Sequence, residues 1–247
     1  MKKLLYILLF LSLAATFLLH PVAAAASPLS DVDPEAWYAP GISYVVEKGL
    51  MVGISAYRFA PDNEVTRGMM VTVLWRLAGS PEIDYEDLMC QNEYWLLSDI
   101  PENAYYETAA LWAKSTGIME GYPVPYDPQD PPTGLEVYEF RPENVLTREQ
   151  LATVLYRYAK WTGTVSPETA TSSEVLPFSE TSTPLLTFPD KDSVSSWAEE
   201  AMVWCVSVGL IQGSLQGGIT LLTPKSSTTR AQLATIFMRS TSLLPIK

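Results

Sequence analysis

The sequence is short of the residues on which much hydrolytic and metal chemistry depends. It holds one histidine, His20, and two cysteines in 247 residues, and its 16 basic side chains are outnumbered by 28 acidic ones. The formal net charge of −12 excludes the cationic footprint by which proteins hold nucleic acid non-specifically. Beyond Leu19 there is no apolar run long enough to cross a bilayer. The apolar share of 47% is nevertheless ordinary for a globular chain and too high for a disordered one.

The N-terminal stretch reads as a signal rather than as fold. Met1-Lys2-Lys3 supplies a positive start, Leu4 to Leu19 is an uncharged apolar run, and Ala24-Ala25-Ala26 offers a small-residue cleavage site before Ser27. The alternative is an uncleaved anchor, but the run is slightly short of the roughly 20 residues that a span needs. Residues 1–26 are therefore expected to be removed and the remainder secreted, with no membrane contact after cleavage. Cleavage also takes away His20. A Ser-His-Asp triad, a Cys–His pair and a His-ligated zinc are then excluded. Cys90 falls in a spacer and Cys205 in an apolar helical stretch; a single bridge and two separate thiols both fit, and no disulfide framework is indicated. The chain closes on Leu244 to Lys247 without an apolar tail or sorting motif, so attachment to a surface is expected to rest on binding.

What the sequence does have is internal repetition, the feature to seek first. Trp37, Tyr105 and Trp197 are each followed by glycine at +12 and again at +16: Gly49 and Gly53, Gly117 and Gly121, Gly209 and Gly213. Each aromatic follows a lead-in with aspartate, Asp31, Asp99 or Asp190. Downstream come Thr66-Arg67, Thr147-Arg148 and Thr229-Arg230, spaced 81 and 82 residues apart, and nine residues after each arginine stands another, Arg76, Arg157 and Arg239.

Each copy reads as helix, loop, helix. Ile42, Val45 and Val46 have helical spacing, predicting a first helix from about Trp37 to Lys48 in copy one. The corresponding stretch of copy three is apolar nearly all round and is expected to be deeply buried. The +12 glycine falls where a left-handed residue would end the helix, and the +16 glycine fits a tight turn or a close backbone approach. The second helix starts at the threonine. Thr147 with Gln150 and Thr229 with Gln232 spell a capping box; Thr66 keeps the cap, but Met69 cannot complete the box. Apolar stripes follow, such as Leu151, Val154 and Leu155. The division expected is repeat one at 27–79, a linker at 80–95, repeat two at 96–162, a Ser/Thr/Pro-rich linker at 163–186 and repeat three at 187–242. A Pro- and Tyr-rich insertion at 123–139 reads as an exposed decoration of repeat two, with a contact surface as the alternative.

The aspartates, aromatics, glycine pairs and Thr-Arg motifs together resemble the S-layer homology (SLH) domain family, in three copies. The resemblance implies a mainly α fold: three helix-loop-helix repeats in a pseudo-threefold module around a central three-helix bundle. It also implies a non-covalent anchoring function at the cell surface. The grooves between repeats would bind a cell-wall polysaccharide, typically a pyruvylated secondary polymer of a Gram-positive wall, with peptidoglycan itself as another wall partner. The positions that would carry binding are Arg67, Arg148 and Arg230; Asp31, Asp99 and Asp190; Trp37, Tyr105 and Trp197; and Gly53, Gly121 and Gly213. The family's Thr-Arg-Ala-Glu is altered here, to Gly68-Met69, Glu149-Gln150 and Ala231-Gln232 after the arginine.

Physical reading of these residues leaves alternatives open. An arginine at the first helical position opposes the helix dipole, so something must compensate. A bound anion would do so, using the guanidinium and the free amides of the helix start; an internal bridge such as Arg67 to Asp31 would serve equally. The aromatics could stack on a sugar ring, although an aromatic at a helix start is more often core. The second arginines suit helix ends and read as structural. Acid pairs at Asp31/Asp33, Asp190/Asp192 and Asp127/Asp130 leave a carboxylate-only glycoside hydrolase open in composition, but they lie in lead-ins or in the insertion, and the chain is expected not to be an enzyme. No full calcium loop, metal site or cofactor motif is present in the sequence. The competing role is a secreted protein–protein adaptor or structural surface-layer component.

Overall fold

The computed structural model describes residues 29–83, 95–125, 136–165 and 184–244. The expected signal peptide, Cys90, Asp127, Asp130 and most of both linkers lie outside the described residues. The chain is mainly α. Copy one supplies α1 (Ala39–Glu47) and α2 (Arg67–Leu77), copy two α3 (Glu107–Ser115) and α4 (Arg148–Trp161), and copy three α5 (Glu199–Ser207) and α6 (Arg230–Arg239). The first helices end on Gly49, Gly117 and Gly209, with φ of 67°, 70° and 75°, the left-handed stop that glycine adopts without steric cost. Thr66, Thr147 and Thr229 cap the second helices, with full capping boxes at Thr147 and Thr229. The first helix begins later than its pattern suggested: Trp37 stands in the preceding turn, outside α1.

The helices of one repeat do not chiefly pack on each other. The main pairings are α2 with α3, α4 with α5, and α6 with α1, so each second helix packs on the first helix of the next copy and the third closes back on the first. A single buried core therefore runs through all three copies, from Ile42 and Met70 to Tyr158, Met202 and Phe237. At the α1–α6 contact the approach is close enough that a Cβ on Gly41 would lie 2.8 Å from the Thr235 backbone. The third residue of each motif is matched to its neighbour in the same way. Gly68 leaves room for the Tyr106 ring, while Glu149 is itself buried and accepts from the Ser195 amide and from Lys225.

The copies meet at the pseudo-threefold axis through the residue before each threonine cap. Val65 N–H donates to Thr228 C=O (2.8 Å), Thr228 N–H to Leu146 C=O (3.1 Å), and Leu146 N–H to Val65 C=O (2.9 Å). This closed triangle of backbone hydrogen bonds satisfies three fully buried peptide groups.

The loops between the helices carry the little strand structure present. In copy two, β1 (Trp95–Leu97) pairs in parallel with β3 (Glu136–Glu139), which pairs antiparallel with β2 (Tyr122–Pro123). The ends of the insertion are thus sheet rather than exposed loop; residues 126–135 lie outside the described residues. In copy three, β4 (Ser214–Gln216) and β5 (Ile219–Leu221) form a hairpin across Gly217-Gly218, both at positive φ, as a two-residue primed turn requires. Cys205 is buried with a free thiol whose pKa burial pushes up.

Thr228 is the odd member of the axial triangle. Its hydroxyl is buried without a hydrogen-bond partner, where the other two copies place Val65 and Leu146. A buried unmade hydrogen bond is costly, so Thr228→Val is expected to raise stability by about 1 kcal/mol. Thermal melts of the two proteins check this, and a lower midpoint for the variant would contradict it.

Candidate ligand groove

The Thr-Arg arginines are buried, and each reaches into the loop of another copy. Arg67 Nε donates to Phe140 C=O (2.7 Å), Arg148 Nε to Leu222 C=O (2.8 Å), and Arg230 Nε to Phe59 C=O (2.9 Å). The aspartates grip the same three residues from the other side. Asp31 accepts from the amides of Phe59 and Ala60, Asp99 from Phe140 and Arg141, and Asp190 from Leu222 and Thr223, all within 2.6–2.9 Å. One peptide per copy is therefore held at its N–H side by its own aspartate and at its carbonyl by a neighbour's arginine. The next residue, Ala60, Arg141 or Thr223, sits at φ 59°, 56° or 49°, a strained region for a non-glycine residue. The paired carboxylate hydrogen bonds hold it there.

This geometry narrows the anion account of the helix-start arginine to the guanidinium itself. The free amides expected to receive an anion are occupied. Arg67 and Gly68 donate to Asn144 and Pro142 carbonyls, Arg148 and Glu149 to Ser226 and Pro224, and Arg230 and Ala231 to Asn63 and Pro61, while each threonine hydroxyl takes the third amide. The internal bridge is not formed either. The aspartate whose charge favours the Arg67 cation is Asp99, that of Arg148 is Asp190, and that of Arg230 is Asp31, each from another copy. Burial nonetheless dominates and lowers the pKa of all three guanidiniums.

The aromatics are not core. Trp37, Tyr105 and Trp197 are 62%, 62% and 57% exposed. They stand at the helix edge with their rings open to solvent, and the next residue takes the interior position, as buried Tyr106 and Ala198 do. Trp37 is braced edge-on by Tyr38 (5.4 Å between centroids, 79°) and Tyr105 by Tyr106 (4.8 Å, 76°). The +16 glycines are needed for close approach. A Cβ on Gly53 would fall 2.6 Å from the Ser55 and Arg58 carbonyl oxygens, and one on Gly121 would fall 2.9 Å from that of Glu139.

A groove of about 600 Å³ brings part of the expected set together at the junction of all three copies. Trp37 forms one wall, α6 another through Gln232, Thr235 and Arg239, and the copy-three loop a third through Gln212, Gly213 and Ser214. Arg148 lies at its base, only 5% exposed, close enough to Arg239 that the two charges repel. No carboxylate is among the described residues that line it. Of the predicted site residues, Trp37, Arg148 and Gly213 meet here. Asp31, Asp99, Asp190, Arg67 and Arg230 are engaged with backbone, and Tyr105, Trp197, Gly53 and Gly121 belong to the two equivalent junctions.

The sequence reading missed Arg239. It took the second arginines as structural, which describes Arg76, whose Nη1 donates to Leu50 C=O (3.1 Å). Arg157 is exposed on α4. The threefold recurrence of an arginine at +9 was the available signal; which copy turned it to use depends on the neighbouring loop.

A closed ring of three cross-packed helix-loop-helix units, with a polar groove where copies meet, defines a tandem-repeat helical module. The S-layer homology domain profile matches residues 28–69 and 97–152, so the chain carries S-layer homology (SLH) domain sequence in its first two copies. The third copy is recognised by its structural equivalence to the other two. Over 95% of its length the chain is 25% identical to an endoglucanase of Bacillus sp. (strain KSM-635), covering 22% of that protein. It is 24% identical over 89% of its length to the surface-layer 125 kDa protein of Lysinibacillus sphaericus (15% of that protein), and 36% identical over 61 residues, 25% of its length, to an S-layer protein of Bacillus thuringiensis subsp. finitimus (8% of that protein). The chain thus spans less than a quarter of the length of these relatives. Two of these relatives are named as surface-layer proteins.

Two outcomes follow from the pinned peptides. Burial works against the Asp31 charge, but the Phe59 and Ala60 amides outweigh it and hold the carboxyl below its ordinary value. A carboxylate with a depressed folded-state pKa contributes stability above its unfolded value, about 3.9, that is lost as pH falls through the folded value. Asp31→Asn is expected to cost about 2 kcal/mol at pH 7 and to flatten the loss below pH 4, as read from urea melts across pH; an unchanged acid limb would contradict the assignment. Thr223→Gly is expected to stabilise by about 0.5–1 kcal/mol, because it relieves a β-branched residue at positive φ; a lower urea midpoint would contradict the strain.

Proposed function

We propose that this chain is a secreted anchoring module that holds an anionic cell-wall polysaccharide, of the pyruvylated secondary-polymer type, in the grooves between its repeats. The observation that carries this reading is the groove at Arg148 and Arg239: two guanidiniums, an exposed tryptophan and, among the described residues, no lining carboxylate, on a protein of net charge −12. Such a protein repels an anionic polymer at long range, so recognition must come from a local cationic site. A forked guanidinium suits a ketal carboxylate, and a tryptophan face suits the apolar side of a sugar ring. We read the chain as a binding module and not a hydrolase. Asp31 and Asp190, the leading members of two acid pairs, spend both carboxylate oxygens on backbone amides.

Co-sedimentation with wall sacculi tests the reading. The protein is expected to bind native sacculi and to lose binding to sacculi stripped of their secondary polymer by hydrofluoric acid; retained binding would transfer recognition to peptidoglycan. Arg239 is exposed and its side chain makes no hydrogen bond among the described residues, so Arg239→Gln is expected to leave the melting temperature unchanged. Its affinity is expected to fall about tenfold or more, the loss of a charge-assisted hydrogen bond. Undiminished binding by this variant would overturn the anion-site account.

A further inference from the structure

The three inter-repeat junctions are built from equivalent residues but are not chemically equivalent, and the difference lies in where the arginine nitrogens point. In two junctions the protein satisfies its own arginine. Arg230 donates through Nη2 to Val52 C=O (2.6 Å) as well as through Nε, and the neighbouring Arg76 is held by Leu50 C=O. Arg67 donates through Nη2 to Glu120 C=O (2.7 Å), and its guanidinium also lies over the rings of Phe140 (4.9 Å) and Tyr122 (5.2 Å). Tyr122, at the foot of the copy-two insertion, is further covered by Arg141 at 4.3 Å, so the insertion supplies an internal ring at this junction.

The third junction breaks the pattern. The carbonyl equivalent to those of Val52 and Glu120 belongs to Gln212, and Arg148 makes no bond to it; Nε to Leu222 is its one side-chain hydrogen bond among the described residues. The Arg76–Leu50 bond has no counterpart among the described residues in the other two copies, from Arg157 to Ile118 or from Arg239 to Leu210, and Arg239 and Leu210 both line the groove. The backbone gives the cause. Gly213 adopts φ 77°, whereas Gly53 and Gly121 lie outside the left-handed region. The β4–β5 hairpin starts at the next residue, and its Thr220 methyl and Leu221 carbonyl crowd Gly213, fixing that turn. The peptide before Gly213 is thereby directed away from Arg148. The terminal nitrogens of the buried Arg148 are left without a hydrogen bond among the described residues, and Arg148 lines the groove together with Arg239 and the exposed Trp37.

We infer that only one of the three pseudo-equivalent grooves, that of Trp37, Arg148 and Arg239, accepts the anionic group, and that the hairpin turn at Gly213 is what selects it. This rests on the wall-binding reading above and narrows it to one carboxylate-bearing sugar residue per chain. The Arg230 and Arg67 junctions are closed by the protein's own carbonyls, and the latter also by Tyr122.

The exposed aromatics allow a test that leaves the core untouched. Trp37→Ala, Tyr105→Ala and Trp197→Ala are each assayed for co-sedimentation with native sacculi, with thermal melts as the folding control. The wild type is titrated calorimetrically with a methyl hexosaminide bearing one 4,6-pyruvyl ketal as probe. The expected result is a tenfold or larger loss for Trp37→Ala, less than twofold for the other two, and one probe per chain. Comparable losses for Tyr105→Ala or Trp197→Ala, or two or three probes per chain, would overturn the single-groove inference and leave wall binding standing. Undiminished binding by all three variants would overturn the groove reading itself.

Discussion

The whole module depends on one constraint: a single peptide in each copy, Phe59–Ala60, Phe140–Arg141 or Leu222–Thr223, held at both ends at once. An aspartate of the same copy takes its N–H, and an arginine of a different copy takes its C=O. Because the second partner always comes from elsewhere in the ring, no copy completes its own loop. The axial triangle of Val65, Leu146 and Thr228 obeys the same rule, and so do the main helix pairings. Hydrogen bonds that involve a charged partner and lie in a dry interior are stronger than neutral exposed ones, and removing one partner strands the other. Three cyclic sets of such bonds give a fold in which losing one copy would unmake contacts in both others.

Function follows from how that frame spends its arginines. A buried guanidinium has five donors, and the frame needs only Nε from each. In two junctions a loop carbonyl takes Nη2; in the third the hairpin turn at Gly213 withdraws it. The same residue that locks the scaffold then presents unspent donors to solvent. This reconciles the two roles that an arginine at a helix start could have: it is a clamp in every copy and a ligand contact in one.

Much of this was legible in the sequence. The repeat period, the helix stops at Gly49, Gly117 and Gly209, the complete capping boxes at Thr147 and Thr229 and the missing box at Met69 are local, and local rules find them. Three features were not local. That α1 packs on α6 could not be read from either helix, since both carry ordinary apolar stripes. The partners of Arg67, Arg148 and Arg230 are backbone carbonyls 73, 74 and 171 residues away, and a carbonyl has no residue identity to betray it. Trp37, Tyr105 and Trp197 looked like core by composition, yet the residue after each takes the inward direction. The groove itself emerges only when the ring closes, because its lining comes from all three copies.

The central claim is that the frame consumes the terminal nitrogens of Arg67 and Arg230 and leaves those of Arg148 unspent. A crystal structure of the protein soaked with a pyruvyl-ketal hexosaminide tests it directly. The account predicts one sugar per chain, its carboxylate on Arg148 and Arg239 and its ring against Trp37. Sugars bound equally at Arg67 and Arg230, or a single sugar at either of those junctions, would contradict it.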